Sequence, residues 1–128
     1  MTKRTPGAAL PPAEQAELRD LLAEQRESVT AQIETLTRDL EGIIEAANGI
    51  ATDDEHDPEG ATIAFERSHV SALLDQSRAH LDDLDLARER LDEGTYGICE
   101  QCGNPIAAER LAARPVARTC ITCAAKAR

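Results

Sequence analysis

From residue 29 onward the apolar side chains fall at Val29, Ile33, Leu36, Leu40, Ile43, Ala47 and Ile50, in alternating steps of four and three. That spacing places them on one face of a helix, as a heptad seam. Leu18 and Leu22 carry an apolar face back toward Pro12, with Arg26 marking a weaker position between them and Val29. A second run, Ile63, Val70, Leu74, Ser77, Leu81, Leu84, Arg88 and Leu91, keeps the same alternation. Single polar seam positions such as Ser77 and Arg88 are tolerated in coiled coils, where they fix register. Gly42, in the middle of the first run, costs its helix about 1 kcal/mol relative to alanine.

The seam stops between Ile50 and Ile63, where Thr52-Asp53-Asp54-Glu55-His56-Asp57-Pro58-Glu59-Gly60 supplies a proline, a glycine and a cluster of carboxylates. Pro58 disfavours helical geometry at Asp57, and Glu59 suits the positive end of the helix that follows. Two helices of similar length joined by a sharp break fold back on each other. At 1.5 Å per residue each is about 57 Å long, which carries the bend far from whatever follows the second helix. A continuous parallel dimer is opposed by Gly49, Pro58, Gly60 and the dense negative charge. The expected architecture is all-α: a long antiparallel two-helix coiled-coil hairpin, monomeric, ending in a small C-terminal four-cysteine module. Its segments are a loose tail over 1–11, the hairpin over 12–95 with an acidic tip at 52–60, and the cysteine module with a C-terminal helix over 96–128.

Composition narrows the function classes. Only 2% of the 128 residues are aromatic, Phe65 and Tyr96, so platforms for stacking exposed bases are lacking. Residues 1–95 hold 9 Lys or Arg against 22 Asp or Glu, and residues 96–128 hold 5 against 2. An acidic body repels phosphate backbones, which disfavours direct specific DNA binding and favours a basic protein partner. No stretch approaches the ~18 apolar residues of a membrane span, and the opening residues contain no sustained apolar segment, so a cytoplasmic location is expected.

Chemistry concentrates near the end of the chain. Cys99-Glu100-Gln101-Cys102 and Cys120-Ile121-Thr122-Cys123 are two Cys-x-x-Cys pairs separated by 17 residues. Each pair can aim two thiolates at one point, and two such knuckles complete the four sulfurs that tetrahedral zinc prefers. Four cysteines leave no open position for water, so one structural zinc ion, held by Cys99, Cys102, Cys120 and Cys123, is expected rather than a catalytic one. A thiol-disulfide couple is disfavoured because no sheet pattern surrounds the motif. His56, His69 and His80 are read as solvated side chains. Nothing resembling a nucleophile-base pair or a phosphate loop occurs, so no enzymatic activity is expected.

The combination of Tyr96-Gly97, Cys99-Glu100, Cys102-Gly103, Ile106, Arg110-Leu111, Ala113-Arg114-Pro115, Cys120-Ile121 and Cys123 resembles the DksA/TraR family of bacterial transcription factors. The resemblance is densest over 96–123 and extends weakly over the heptads of 14–95. It implies a zinc module bearing a coiled-coil hairpin that enters the secondary channel of RNA polymerase, with no DNA contact required. The family's best-studied members carry Asp-x-x-Asp-x-Ala at the tip. Here the stretch is Asp57-Pro58-Glu59-Gly60-Ala61-Thr62, so Asp57 matches while Gly60 and Thr62 do not. Glu59 is one residue early as a substitute carboxylate and points about 100° away on a helix.

Arg110, Arg114 and Arg118 recur every four residues, which on a helix makes one basic face. By the resemblance Arg110 and Arg114 are candidates for polymerase contact. The other reading pairs them with Glu109, Glu100 or the hairpin's own acids. Two other functions remain open at this level. One is a zinc-stabilised coiled-coil adaptor for a different protein, and the other a redox-sensing zinc protein.

Overall fold

The computed structural model describes residues 10–49 and 58–127, and of Pro58 and Glu59 only the backbone. Its elements are α1 (Pro12–Asn48), α2 (Pro58–Glu93), α3 (Ala108–Ala113) and α4 (Ile121–Lys126). Pro12 opens α1, where a missing N–H costs nothing, and the Gln15 amide donates to the Pro11 carbonyl at 3.0 Å. Pro58 opens α2 in the same way. Among the described residues there is no strand, only an isolated antiparallel bridge between Ile98 and Pro105. No helix among them is long and apolar enough to cross a membrane.

The chain divides into two compact units, Met1–Arg26 with Asp82–Arg128, and Glu27–Leu81. In the first unit the start of α1 runs antiparallel to the end of α2. Arg19 pairs with Asp92, and Arg26 with Asp85 at 2.8 Å, so seven residues forward in α1 match seven back in α2. The Asp85 carboxylate, by hydrogen bond and charge, raises the Arg26 pKa further. Both pairs are solvent-exposed, and such bridges fix register more than they stabilise. The core of this unit is Leu22, Leu84, Ala87, Leu91, Tyr96, Cys99, Ile106, Leu111 and Cys123.

Two seam expectations are corrected here. Arg88 is exposed, and Ala87 is buried in its place. A helical repeat of 3.6 residues lets the seam step from Leu84 to Leu91 through either position, and the apolar methyl wins because a buried unpaired guanidinium is costly. Arg26 likewise stands outside the seam, facing Asp85.

In the second unit α1 and α2 bury Val29, Leu36, Leu74 and the polar Ser77. Ile33, Leu40, Ile43, Ala47, Ile63, Val70 and Leu81 are half-buried, as a two-helix pair with no third layer allows. Ile50, the last position of the first seam, lies outside the described residues.

Candidate metal centre

The cysteine module begins where α2 is stopped. Gly94 adopts φ +79°, a conformation that only glycine takes without strain. Its amide donates to the Leu91 carbonyl at 3.3 Å, and the Thr95 amide to the Arg90 carbonyl at 2.8 Å. This pair of reversed bonds satisfies the last helical carbonyls and turns the chain out of the helix. Gly97, at φ +81°, makes a second turn. The chain then doubles back on itself: the Cys99 amide donates to the Asn104 carbonyl at 2.8 Å and the Ile106 amide to the Gly97 carbonyl at 2.7 Å. Gly103, at φ +75°, closes the knuckle with its amide on the Cys99 carbonyl at 3.0 Å.

The second knuckle is the first turn of α4. Cys120 is the residue before the helix, and its sulfur accepts the Cys123 amide at 3.5 Å. Helical spacing then sets Cys123 one turn on, facing the same side. Three ties hold the two knuckles together. The Glu100 amide donates to the Arg118 carbonyl at 2.9 Å, Arg110 Nε to the Thr119 carbonyl at 3.0 Å, and the Tyr96 hydroxyl to the Pro115 carbonyl at 2.8 Å. Tyr96→Phe removes the last of these and is expected to destabilise the folded protein by about 1 kcal/mol. The measurement is the urea midpoint, which should fall with an unchanged slope.

All four sulfurs lie within 4.8 Å of one another, and Cys102 Sγ and Cys120 Sγ are 3.8 Å apart. Tetrahedral zinc with sulfur at 2.3 Å requires sulfurs about 3.8 Å apart, whereas a disulfide would need about 2 Å. The thiols do not titrate alike. Burial pushes Cys99 up, but the amides of Cys102, Cys120 and Gln101 outweigh it and bring the thiol down to about 6. Cys120 is lowered chiefly by the Cys123 amide. Cys123 is pushed up to about 12 by the Cys120 sulfur and by burial. Such a set cannot carry four negative charges unaided, and a divalent cation at its centre resolves the conflict. The residues therefore fit a closed four-sulfur zinc site.

The other expected site residues are not gathered here. α3 ends at Ala113 and Arg114 leaves it at φ −135°, ψ 83°, so Arg110, Arg114 and Arg118 do not share a helical face. The expectation of a continuous basic stripe is corrected: the helix stops at Ala113, because Pro115 disfavours helical geometry at Arg114 before it. Arg110 is half-buried and occupied with Thr119, while Arg114 and Arg118 are exposed. His69 and His80 are exposed; His56 and Asp57 lie outside the described residues, and the backbone of Glu59 sits in the first turn of α2.

One residue that sequence reasoning passed over is central. Arg90, in the last turn of α2, holds the carbonyl of Ile98, the carbonyl of Thr95 at 3.1 Å and the Glu100 carboxylate at 3.3 Å. Those contacts bracket Cys99 from both sides. A basic residue one turn before a glycine helix stop was the available signal.

A paired-helix protein whose last segment is a closed four-sulfur module is, as a class, a zinc-finger protein of the C4 type. Residues 94–128 match the family model of the prokaryotic dksA/traR C4-type zinc finger. The solved structure of transcription factor DksA2 from Pseudomonas aeruginosa superposes with a TM-score of 0.74 and 32% identity, over 90% of this chain and 83% of that one. The chain belongs to the DksA/TraR family, whose zinc module holds one structural zinc ion. Two proteins called RNA polymerase-binding transcription factor DksA are also similar. That of Caulobacter vibrioides is 37% identical over 57 residues, covering 44% of this chain and 40% of the relative. That of Haemophilus influenzae is 36% identical over 69 residues, covering 52% and 48%. The chain thus spans less than half the length of these curated relatives.

Proposed function

We propose that this chain is a non-enzymatic transcription regulator that binds RNA polymerase and inserts its coiled-coil tip into the secondary channel. The observation that carries this reading is the 32% identity with transcription factor DksA2, sustained over 83% of that chain. The polymerase-binding names of two further relatives support it. Cys99, Cys102, Cys120 and Cys123 ligate the zinc, which gives the C-terminal segment a fixed fold without any chemistry of its own. Asp57 and Glu59 act at the tip, where carboxylates compete for basic channel residues or for the catalytic metal's surroundings. Arg114, exposed, is the better of the two arginine candidates for an acidic surface on polymerase, because Arg110 is already engaged.

With Gly60 where the second tip carboxylate of the best-studied members stands, association with polymerase and the effect on initiation separate. The test is co-purification with core polymerase, followed by open-complex lifetimes with the parent chain and with Asp57→Asn. Asn is nearly isosteric, so binding and folding should be retained while the lifetime changes. Identical lifetimes on every promoter tested would remove the tip mechanism. A pull-down rich in some other protein and free of polymerase subunits would favour the adaptor reading instead.

A further inference from the structure

Within unit Glu27–Leu81 the end of α1 and the start of α2 are incompletely closed. Among the described residues no side chain in 40–49 or 60–70 is buried, whereas Val29, Leu36, Leu74 and Ser77 are. The open part forms a groove of about 500 Å³ lined by Ile43, Ala46, Ile63, Val70 and His69 together with the charged side chains of Arg38, Asp39 and Glu66. Gly42 leaves it without a wall: a Cβ built there meets no atom within 4 Å. Beside the groove stands Phe65, 72% exposed. Its ring lies parallel to that of His69, with centroids 6.3 Å apart, so the aromatic surface is continuous with the groove. A lone exposed apolar residue needs no explanation, but a ring adjoining an open cleft with an apolar strip between charged side chains is the form of a recognition surface.

Charge decides what it recognises. Residues 27–49 and 60–81 carry 7 Asp or Glu against 3 Arg, and the groove's own lining sets Asp39 and Glu66 against Arg38. A second copy of this unit brings the same charge and is repelled, and so is an anionic surface. An occupant that places an apolar side chain in the groove and neutralises the surroundings must be basic. We propose that the groove floored by Ile43, Ala46, Ile63 and Val70, with Phe65 beside it, docks an apolar side chain carried on a Lys/Arg-rich segment of a partner protein. The inference rests on the polymerase reading only in taking core RNA polymerase as the owner of that segment.

The experiment compares the full-length zinc-loaded chain with Phe65→Ala and Gly42→Leu. Phe65 is exposed, and leucine is the better helix former at position 42, so both variants should keep the helical circular dichroism of the parent. Two probes are used, a fluorescent amphipathic Leu/Lys helix peptide and purified core polymerase. Binding of each probe should weaken at least tenfold in both variants and should fall with added salt. Failure of the parent to bind the peptide at micromolar concentrations overturns the inference. Equal peptide binding by all three chains means bare charge attraction and also overturns it, as does equal polymerase binding by all three. Salt-independent binding excludes a basic occupant. A dimer in sedimentation that Gly42→Leu abolishes assigns the groove to a second copy and overturns the basic partner. If the peptide behaves as expected while the parent does not bind polymerase, the groove stands and the polymerase reading falls.

Discussion

Replacement of Cys99 by serine is expected to unfold the C-terminal module while leaving most of the helical signal in place. The module matched by the family model spans residues 94–128, below the roughly 40 residues at which a chain usually folds without metal, disulfides or a partner. Its own helices contribute 6 residues each, against 37 and 36 in α1 and α2. Structural zinc supplies about 10–16 kcal/mol to zinc-finger peptides at neutral pH, more than the whole stability of many domains. A serine hydroxyl at position 99 is not a thiolate and does not replace the sulfur that the surrounding amides favour. The checks are zinc stoichiometry and amide hydrogen exchange. Zinc should fall from one equivalent to a small fraction, with protection lost at position 99 and at Gly103 and Ile106, whose amides donate within the knuckle. A metal-free protein that kept protection at these amides would refute the account. Chelation of the parent chain should reproduce the variant, and acid should act in the same direction because protons compete with zinc for the thiolates.

Arg90→Met is expected to weaken zinc binding by roughly 10–100-fold, the usual consequence of removing a group that orients metal ligands, and to speed zinc transfer to a competing chelator accordingly. Arg90 touches no sulfur in the contacts described. It fixes the carbonyls of Thr95 and Ile98 and the carboxylate of Glu100, and so sets the backbone on both sides of Cys99. Methionine keeps the apolar stem and helix propensity while deleting five donors. Lysine keeps the charge but lacks the planar fork, so Arg90→Lys should recover only part of the retention. A cobalt-substituted sample separates positioning from general stability: its absorption bands report tetrahedral geometry and should shift in Arg90→Met even where the urea midpoint changes little. Unchanged spectra and unchanged transfer rates would reduce Arg90 to an ordinary cap.

The sequence legibly carried the parts whose physics is periodic or local. Heptad spacing located α1 and α2, Pro58 marked the start of α2, and two Cys-x-x-Cys pairs announced four sulfurs that converge to within 4.8 Å. Other parts depend on chemistry between distant segments. Arg88 and Ala87 compete for one seam position, and only the cost of burying a guanidinium chooses between them. The arginines at 110, 114 and 118 looked like one face because four-residue spacing was read as helix, whereas Pro115 breaks it. Arg90 went unnoticed because its partners are backbone carbonyls, which look the same at every position of a sequence.

The four sulfurs do not face solvent equally: Cys99 and Cys123 are buried, Cys120 is half-buried and Cys102 is exposed. An incoming chelator or metal-donating protein therefore meets one particular corner of the tetrahedron. With zinc bound, Cys102 and then Cys120 would be the sulfurs a competing ligand reaches first, while Cys99 and Cys123 would be shielded. Exchange would then be expected to grow with the concentration of the competing ligand and to shrink with its bulk, so that access as well as affinity would hold the ion.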